Sequence, residues 1–195
     1  YAGDHYYESM SSKSKRQLKK WEKNRKKAYN GSLRHLLKTL TDRFDLRFTF
    51  NEGMIIQNDN WNSIAGRKKD PLVREGFSIS MNKKDLFGTS LIIEEEYKPL
   101  RSDTLVFPGA TYEQPLLSFE GRMMVVYMKE SPELAYMMEN DSPSSYKQTS
   151  YLLLRADSVY YDRDGRYFEP YMIEQQGYSS WERIGDQLPF NYEQE

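Results

Sequence analysis

Few residues in this 195-residue chain offer reactive chemistry. Imidazole is limited to His5 and His35, and cysteine is absent. Without Cys there are no disulfides, thiolate zinc sites, iron–sulfur clusters or cysteine nucleophiles. A histidine relay needs an acid and a nucleophile beside it, and no Gly-x-Ser-x-Gly elbow occurs. Neither His-x-x-x-His nor His-Glu-x-x-His is present, so a helical zinc pair is not encoded. His35, in Gly31-Ser32-Leu33-Arg34-His35-Leu36, therefore reads first as a buried structural histidine. Asp162-Arg163-Asp164-Gly165 begins like a calcium loop but lacks the third ligand position and the terminal Glu. A Gly-containing hairpin between Tyr-rich strands accounts for it. Glu94-Glu95-Glu96 cannot place three carboxylates on one strand face, so it reads as a solvated strand end. The glycines are scattered singly and form no phosphate loop. Asn30-Gly31-Ser32 matches an N-glycosylation acceptor pattern, but it lies inside helical sequence. No cofactor and no metal are expected.

The strongest feature is electrostatic. Residues 13–27 hold Lys13, Lys15, Arg16, Lys19, Lys20, Lys23, Arg25, Lys26 and Lys27 against the single acid Glu22. The whole chain has 28 bases, 29 acids and a net charge of −1. An acidic body therefore carries a basic N-terminal segment. Such a segment can neutralise phosphates on nucleic acid or anionic lipid. An acidic body argues against nucleic acid, and the plain reading is a solvated helix face.

The elements that must carry these residues follow from periodicity. Leu18, Trp21, Arg25, Tyr29, Leu33, Leu36 and Leu40 recur every three or four residues, predicting a helical segment over 13–43. Trp21 and Tyr29 share the spacing of Leu18 and Leu33 and are expected to face the core. Asn30-Gly31-Ser32 interrupts the pattern, with Ser32 available as an N-cap. The pattern leaves one kinked helix and two helices equally open.

Short strands are expected from Leu46 onward: 46–50, 54–56, 77–81, 90–93, 104–107, 117–119, 123–128, 151–155 and 158–161. Loops are expected near 58–71 and 130–148, the latter with one helical turn at Pro132–Met138. A short helix is expected over 179–188, capped by Ser179 or Ser180 and stopped by Pro189. Leu, Ile, Val and Phe together supply only 40 of the 195 residues, whereas 16 Tyr and 3 Trp imply an aromatic-weighted core. The predicted fold is a single α+β domain over 1–195. Its antiparallel sheet of short strands is flanked by an N-terminal helical segment and a short C-terminal helix. The longest apolar run, Met123–Met128, is far too short to span a membrane.

Two segments carry a family resemblance. They are Trp21-Glu22-Lys23-Asn24-Arg25-Lys26-Lys27-Ala28-Tyr29-Asn30-Gly31-Ser32-Leu33-Arg34-His35-Leu36-Leu37 and Gly177-Tyr178-Ser179-Ser180-Trp181-Glu182-Arg183-Ile184-Gly185-Asp186-Gln187-Leu188-Pro189-Phe190-Asn191-Tyr192. In this order they resemble the C-terminal region of exported Bacteroidetes proteins described as carboxypeptidase-like regulatory domain-containing. That name refers to a non-catalytic β-sandwich upstream of such a region. The resemblance implies export to the periplasm or outer-membrane surface and an upstream β-sandwich in the full-length protein, and it transfers no catalytic residue. Leu36 stands where relatives tend to carry Phe, and the sequence after Phe44 also departs from theirs. The resemblance also makes Thr104 and Ser158 candidate O-glycosylation positions, in Asp103-Thr104-Leu105 and Asp157-Ser158-Val159.

The leading functional expectation is a non-enzymatic cell-envelope accessory or interaction module with a protein or glycan partner. Its candidate interaction residues are Trp21, Tyr29, Arg34, His35, Tyr178 and Trp181. The alternatives are a hydrolase using Asp, Glu or His35 in acid–base chemistry, and an anionic polymer or lipid binder using the 13–27 helix.

Overall fold

The computed structural model describes residues 11–51, 54–57, 70–82, 98–99, 105–111, 113–141, 147–169, 171–181, 188 and 192. The N-terminal segment forms two helices, α1 (Lys15–Tyr29) and α2 (Leu33–Arg47). Between them Gly31 adopts φ +79°, a left-handed conformation that costs a side chain strain. A Cβ there would also lie 2.7 Å from Gln148 Oε1 and 2.8 Å from Tyr127 Cδ1. Ser32 then caps α2, its Oγ accepting the His35 N–H at 3.2 Å.

The expected helix end at Asp42-Arg43 is corrected: α2 continues to Arg47, and strand β1 (Phe48–Asn51) begins where 46–50 was expected to be extended. Nothing at 42–43 can stop a helix, since neither Gly nor Pro follows. Arg43 pairs with Asp70 at 3.0 Å, Asp45 pairs with Arg163, and Phe44 packs on Phe48 with ring centroids 4.9 Å apart. These contacts hold the added turn. β1 pairs with β2 (Met54–Gln57) as an antiparallel hairpin.

A five-residue helix, α3 (Pro71–Glu75), was not foreseen beside the loop expected at 58–71. Its signals are local and complete. Asp70 accepts the Leu72 N–H at 3.0 Å, Pro71 occupies the first turn, and Gly76 closes the helix at φ +84°.

The main sheet is antiparallel, in the order β10 (Ile173–Gly177), β8 (Gln148–Leu154), β7 (Arg122–Tyr127), β3 (Phe77–Asn82) and β4 (Lys98–Pro99). A smaller sheet orders β5 (Val106–Phe107), β6 (Leu116–Leu117) and β9 (Val159–Tyr160). The α+β class holds, with helices at both ends of an antiparallel sheet. Strand β8 starts three residues before the expected Tyr151, and β10 was not expected as a strand at all. The expected strand at 90–93 lies outside the described residues. The expected helical turn in 130–148 is α4 (Leu134–Glu139), and the C-terminal helix is α5 (Tyr178–Trp181). Residues 182–187 of the expected helix are outside the described residues.

Alternation on β7 turns Met123, Val125 and Tyr127 inward, opposite Met81, Ile79 and Phe77 of β3. Leu33, Leu36, Leu37 and Leu40 of α2 join them in a core that reaches the smaller sheet through Val106, Leu117 and Val159. Tyr29, Tyr127, Tyr136, Tyr161 and Tyr178 are buried as well, as the aromatic composition predicted.

Candidate functional site

The α1–α2 turn gathers most of the unusual chemistry. His35 is 6% exposed and sits among Tyr29, Phe77 and Tyr127, with ring centroids 4.8, 4.9 and 5.9 Å away. Its Nδ1 accepts the Gly31 N–H at 3.1 Å, so the proton of the neutral ring resides on Nε2. Nε2 faces Glu75 Oε2 at 3.7 Å, longer than a hydrogen bond and an ion pair only when the ring is protonated. Burial pulls the His35 pKa down to about 4, with Glu75 opposing the shift and Lys129 adding to it. Burial also works against the Glu75 charge, but hydrogen bonds from Arg74 (2.8 Å) and Lys129 (3.2 Å) prevail and leave its pKa lowered. Tyr29 and Tyr127 are pushed up to about 12, chiefly by burial. The imidazole thus has a protein group facing each nitrogen and serves as a lock on the turn.

Arg34 points the other way. Its guanidinium donates to the backbone carbonyls of Asp164 (3.3 Å) and Tyr192. Burial first, and Arg166 second, lower its pKa. The Asp162–Gly165 turn is thereby seated on α2. A Cβ on Gly165 would come within 2.2 Å of the Arg34 carbonyl oxygen. Asp162 Oδ1 accepts the Asp164 and Arg166 N–H groups at 2.9 and 2.8 Å, and Lys38 reaches Asp164 at 3.4 Å. These carboxylates hold a hairpin, as the turn reading expected. Among the described residues no cluster of His, Asp and Glu could hold a metal ion.

The other candidates separate. Tyr178 is buried and joins Tyr136 at 5.0 Å and Trp181 at 6.0 Å, while the Trp181 indole N–H donates to Glu139 at 2.8 Å. This cluster fixes α5 to α4, far in sequence from Arg34 and His35. Ser158 is half-buried just before β9, and Thr104 lies outside the described residues. Beside the α1–α2 turn, Ser32, Gln148, Ser150, Gln175 and Ser179 help line a recess with room for about one water molecule.

Helix α1 departs most from expectation. Tyr29 is buried, but Leu18 is 43% exposed and Trp21 is only half-buried. Trp21 is not part of the core cluster, and among the described residues the contacts of α1 with the body are those of its last turn. There Lys27 pairs with Glu133 at 2.7 Å and the Asn30 side chain donates to Glu130 at 3.2 Å. At about 100° per residue, Lys15, Arg16, Lys19, Lys20, Lys23, Lys26 and Lys27 fall within an arc of roughly 140°. Leu18, Trp21, Arg25, Ala28 and Tyr29 fill an arc of about 100° opposite them.

This arrangement is poorly supported from within. The first turn contains no acid and Ser14 makes no side-chain cap. Like charges stand four apart at Lys15–Lys19, Arg16–Lys20, Lys19–Lys23 and Lys23–Lys27, each opposing the helix by about 0.2–0.5 kcal/mol. Sequence periodicity located α1 but missed Glu75 and Lys129 as the partners around His35. The Asp70–Pro71 start and the Gly76 stop were the signals that would have placed Glu75 on a helix.

No family model matches this chain, and no curated protein or solved structure is similar enough to carry an argument about it.

Proposed function

We propose that this chain is a non-enzymatic interaction module of the cell envelope, and that α1 is the surface it presents to an anionic polymer or lipid. The observation that carries the reading is the position of α1. A helix with seven bases on one arc, nearly all of them exposed, makes its contacts with the rest of the described residues at its C-terminal turn. The envelope location rests on the resemblance of segments 21–37 and 177–192. Enzymatic use of His35 is disfavoured by its burial and by the protein groups facing both ring nitrogens.

Reversing Lys19, Lys20 and Lys23 to Glu tests the reading, with polyphosphate as the soluble probe. The native chain should be retained by polyphosphate at low salt, with affinity falling steeply as salt rises. The triple variant should keep its unfolding midpoint and lose retention. Equal retention by both proteins would overturn the reading.

A further inference from the structure

We propose that Asn30-Gly31 is a covalent modification site, which cyclises and deamidates when the α1–α2 turn opens and which His35 holds in check while the turn is closed. Gly31 makes the pair chemically special, because no side chain keeps its backbone nitrogen from the Asn30 side-chain amide. Once that nitrogen has lost its proton to solvent base, it attacks Asn30 Cγ. The N–Cγ bond forms, the Cγ–Nδ2 bond breaks, and Nδ2 leaves as ammonia with a proton taken from water. Water then opens the succinimide ring at either carbonyl, leaving aspartate or isoaspartate at position 30. The net change is hydrolysis of the side-chain amide, with nothing oxidised or reduced.

The closed turn opposes each part of this step. The Gly31 N–H donates to His35 Nδ1 at 3.1 Å, so the proton that must leave is held by a buried acceptor. Nδ2 of Asn30, the leaving group, donates to Glu130 Oε1 at 3.2 Å. Ring closure needs the Gly31 nitrogen nearly eclipsed with Asn30 Cβ about the Cα–C bond, and ψ 126° at Asn30 turns it away. Gly31 has little room to rotate, since a Cβ on it would lie 2.7 Å from Gln148 Oε1 and 2.8 Å from Tyr127 Cδ1. The product acts where α1 meets the body. A carboxylate at position 30 faces the Glu130 carboxylate in place of a hydrogen-bond donor, and isoaspartate also lengthens the backbone by a methylene. Modification therefore loosens the end of α1 irreversibly, whatever α1 binds.

The test incubates the full chain at mildly alkaline pH and follows position 30 by peptide mapping that separates asparagine, aspartate and isoaspartate. The same chain unfolded in guanidinium sets the unprotected rate, and an Asn30 that stays intact there would remove the site. Amide exchange at Gly31 supplies the comparison, because exchange and cyclisation both require this nitrogen to lose its proton. Native Asn30 should be slowed by at least the factor that protects the Gly31 amide from exchange. A smaller slowing would overturn the gate, and this comparison needs no variant. His35→Leu removes the acceptor and keeps an apolar side chain, so its folded form should deamidate about two- to tenfold faster than the native chain. An unchanged rate in the folded variant would overturn the part given to His35. Asn30→Asp reproduces one product and should speed exchange of the Tyr29 amide, and unchanged exchange there would overturn the loosening of α1.

Discussion

Helices α1 and α2 are each 15 residues long, follow one another across a three-residue turn, and carry apolar side chains at the same spacing, yet they meet opposite fates. Leu33, Leu36, Leu37 and Leu40 of α2 are all buried, whereas Leu18 of α1 is 43% exposed. The difference lies in what stands between the periodic positions. In α2 the intervening residues include His35, Thr39 and Thr41, which are also buried, so the helix presents a broad face. Thr39 and Thr41 bury their hydroxyls by donating back to the His35 and Leu37 carbonyls at 2.7 and 3.2 Å. In α1 the intervening residues are lysines and arginines, and Arg25 interrupts the apolar arc itself. Periodicity therefore finds a helix, but the width of the apolar face decides whether the helix is buried.

The largest expected effect tests this contrast directly. Leu37 is fully buried, so Leu37→Ala should destabilise the chain by about 2–5 kcal/mol through lost burial and a residual cavity. Leu18→Ala should change stability by no more than about 0.5 kcal/mol. Urea unfolding of the two variants measures both. Comparable losses would mean that α1 belongs to the core after all.

The junction between the helices should respond to acid. The folded His35 pKa is depressed to about 4 from an ordinary 6.5, so the unfolded chain binds this proton more readily than the folded one. The associated stability is complete above pH 6.5, declines as pH falls toward 4, and amounts to about 3 kcal/mol at most. Protonation would also set an Nδ1 proton against the Gly31 N–H. The pH dependence of unfolding should flatten over this window in His35→Gln, and an unchanged slope would remove His35 as the acid-sensitive lock. Gly31→Ala should cost less, about 1–3 kcal/mol, from strain at φ +79° and the approach to Tyr127.

Much of the α+β outline was legible. Strands β3 and β7 announced themselves by alternation, and Ser32 by its capping position. Strand β10 was not legible, because Ile173-Glu174-Gln175-Gln176-Gly177 has a single apolar residue and is held by pairing with β8. The extra turn of α2 depended on Asp70 and Arg163, partners 27 and 118 residues from Arg43 and Asp45, which local pattern does not register. The site followed the same division. His35 was readable as buried from its place in the helix, but Glu75 and Lys129 reach it only through the fold.

The smallest effect bears on how α1 is attached. Lys27 and Glu133 are both largely exposed, so their 2.7 Å pair contributes at most about 1 kcal/mol. Lys27→Ala should leave the urea midpoint nearly unchanged, and the small difference should shrink further as salt screens the pair. Tyr29, buried against the His35 ring, and the Asn30–Glu130 hydrogen bond keep the end of α1 attached. Hydrogen exchange along α1 gives the sharper measurement. Amides of the first three turns should exchange quickly in both proteins, while those near Tyr29 stay protected. If Lys27→Ala instead released the Tyr29 turn, the exposed Lys27 side chain would be holding the helix to the body, and α1 would be attached far more loosely than its buried tyrosine implies.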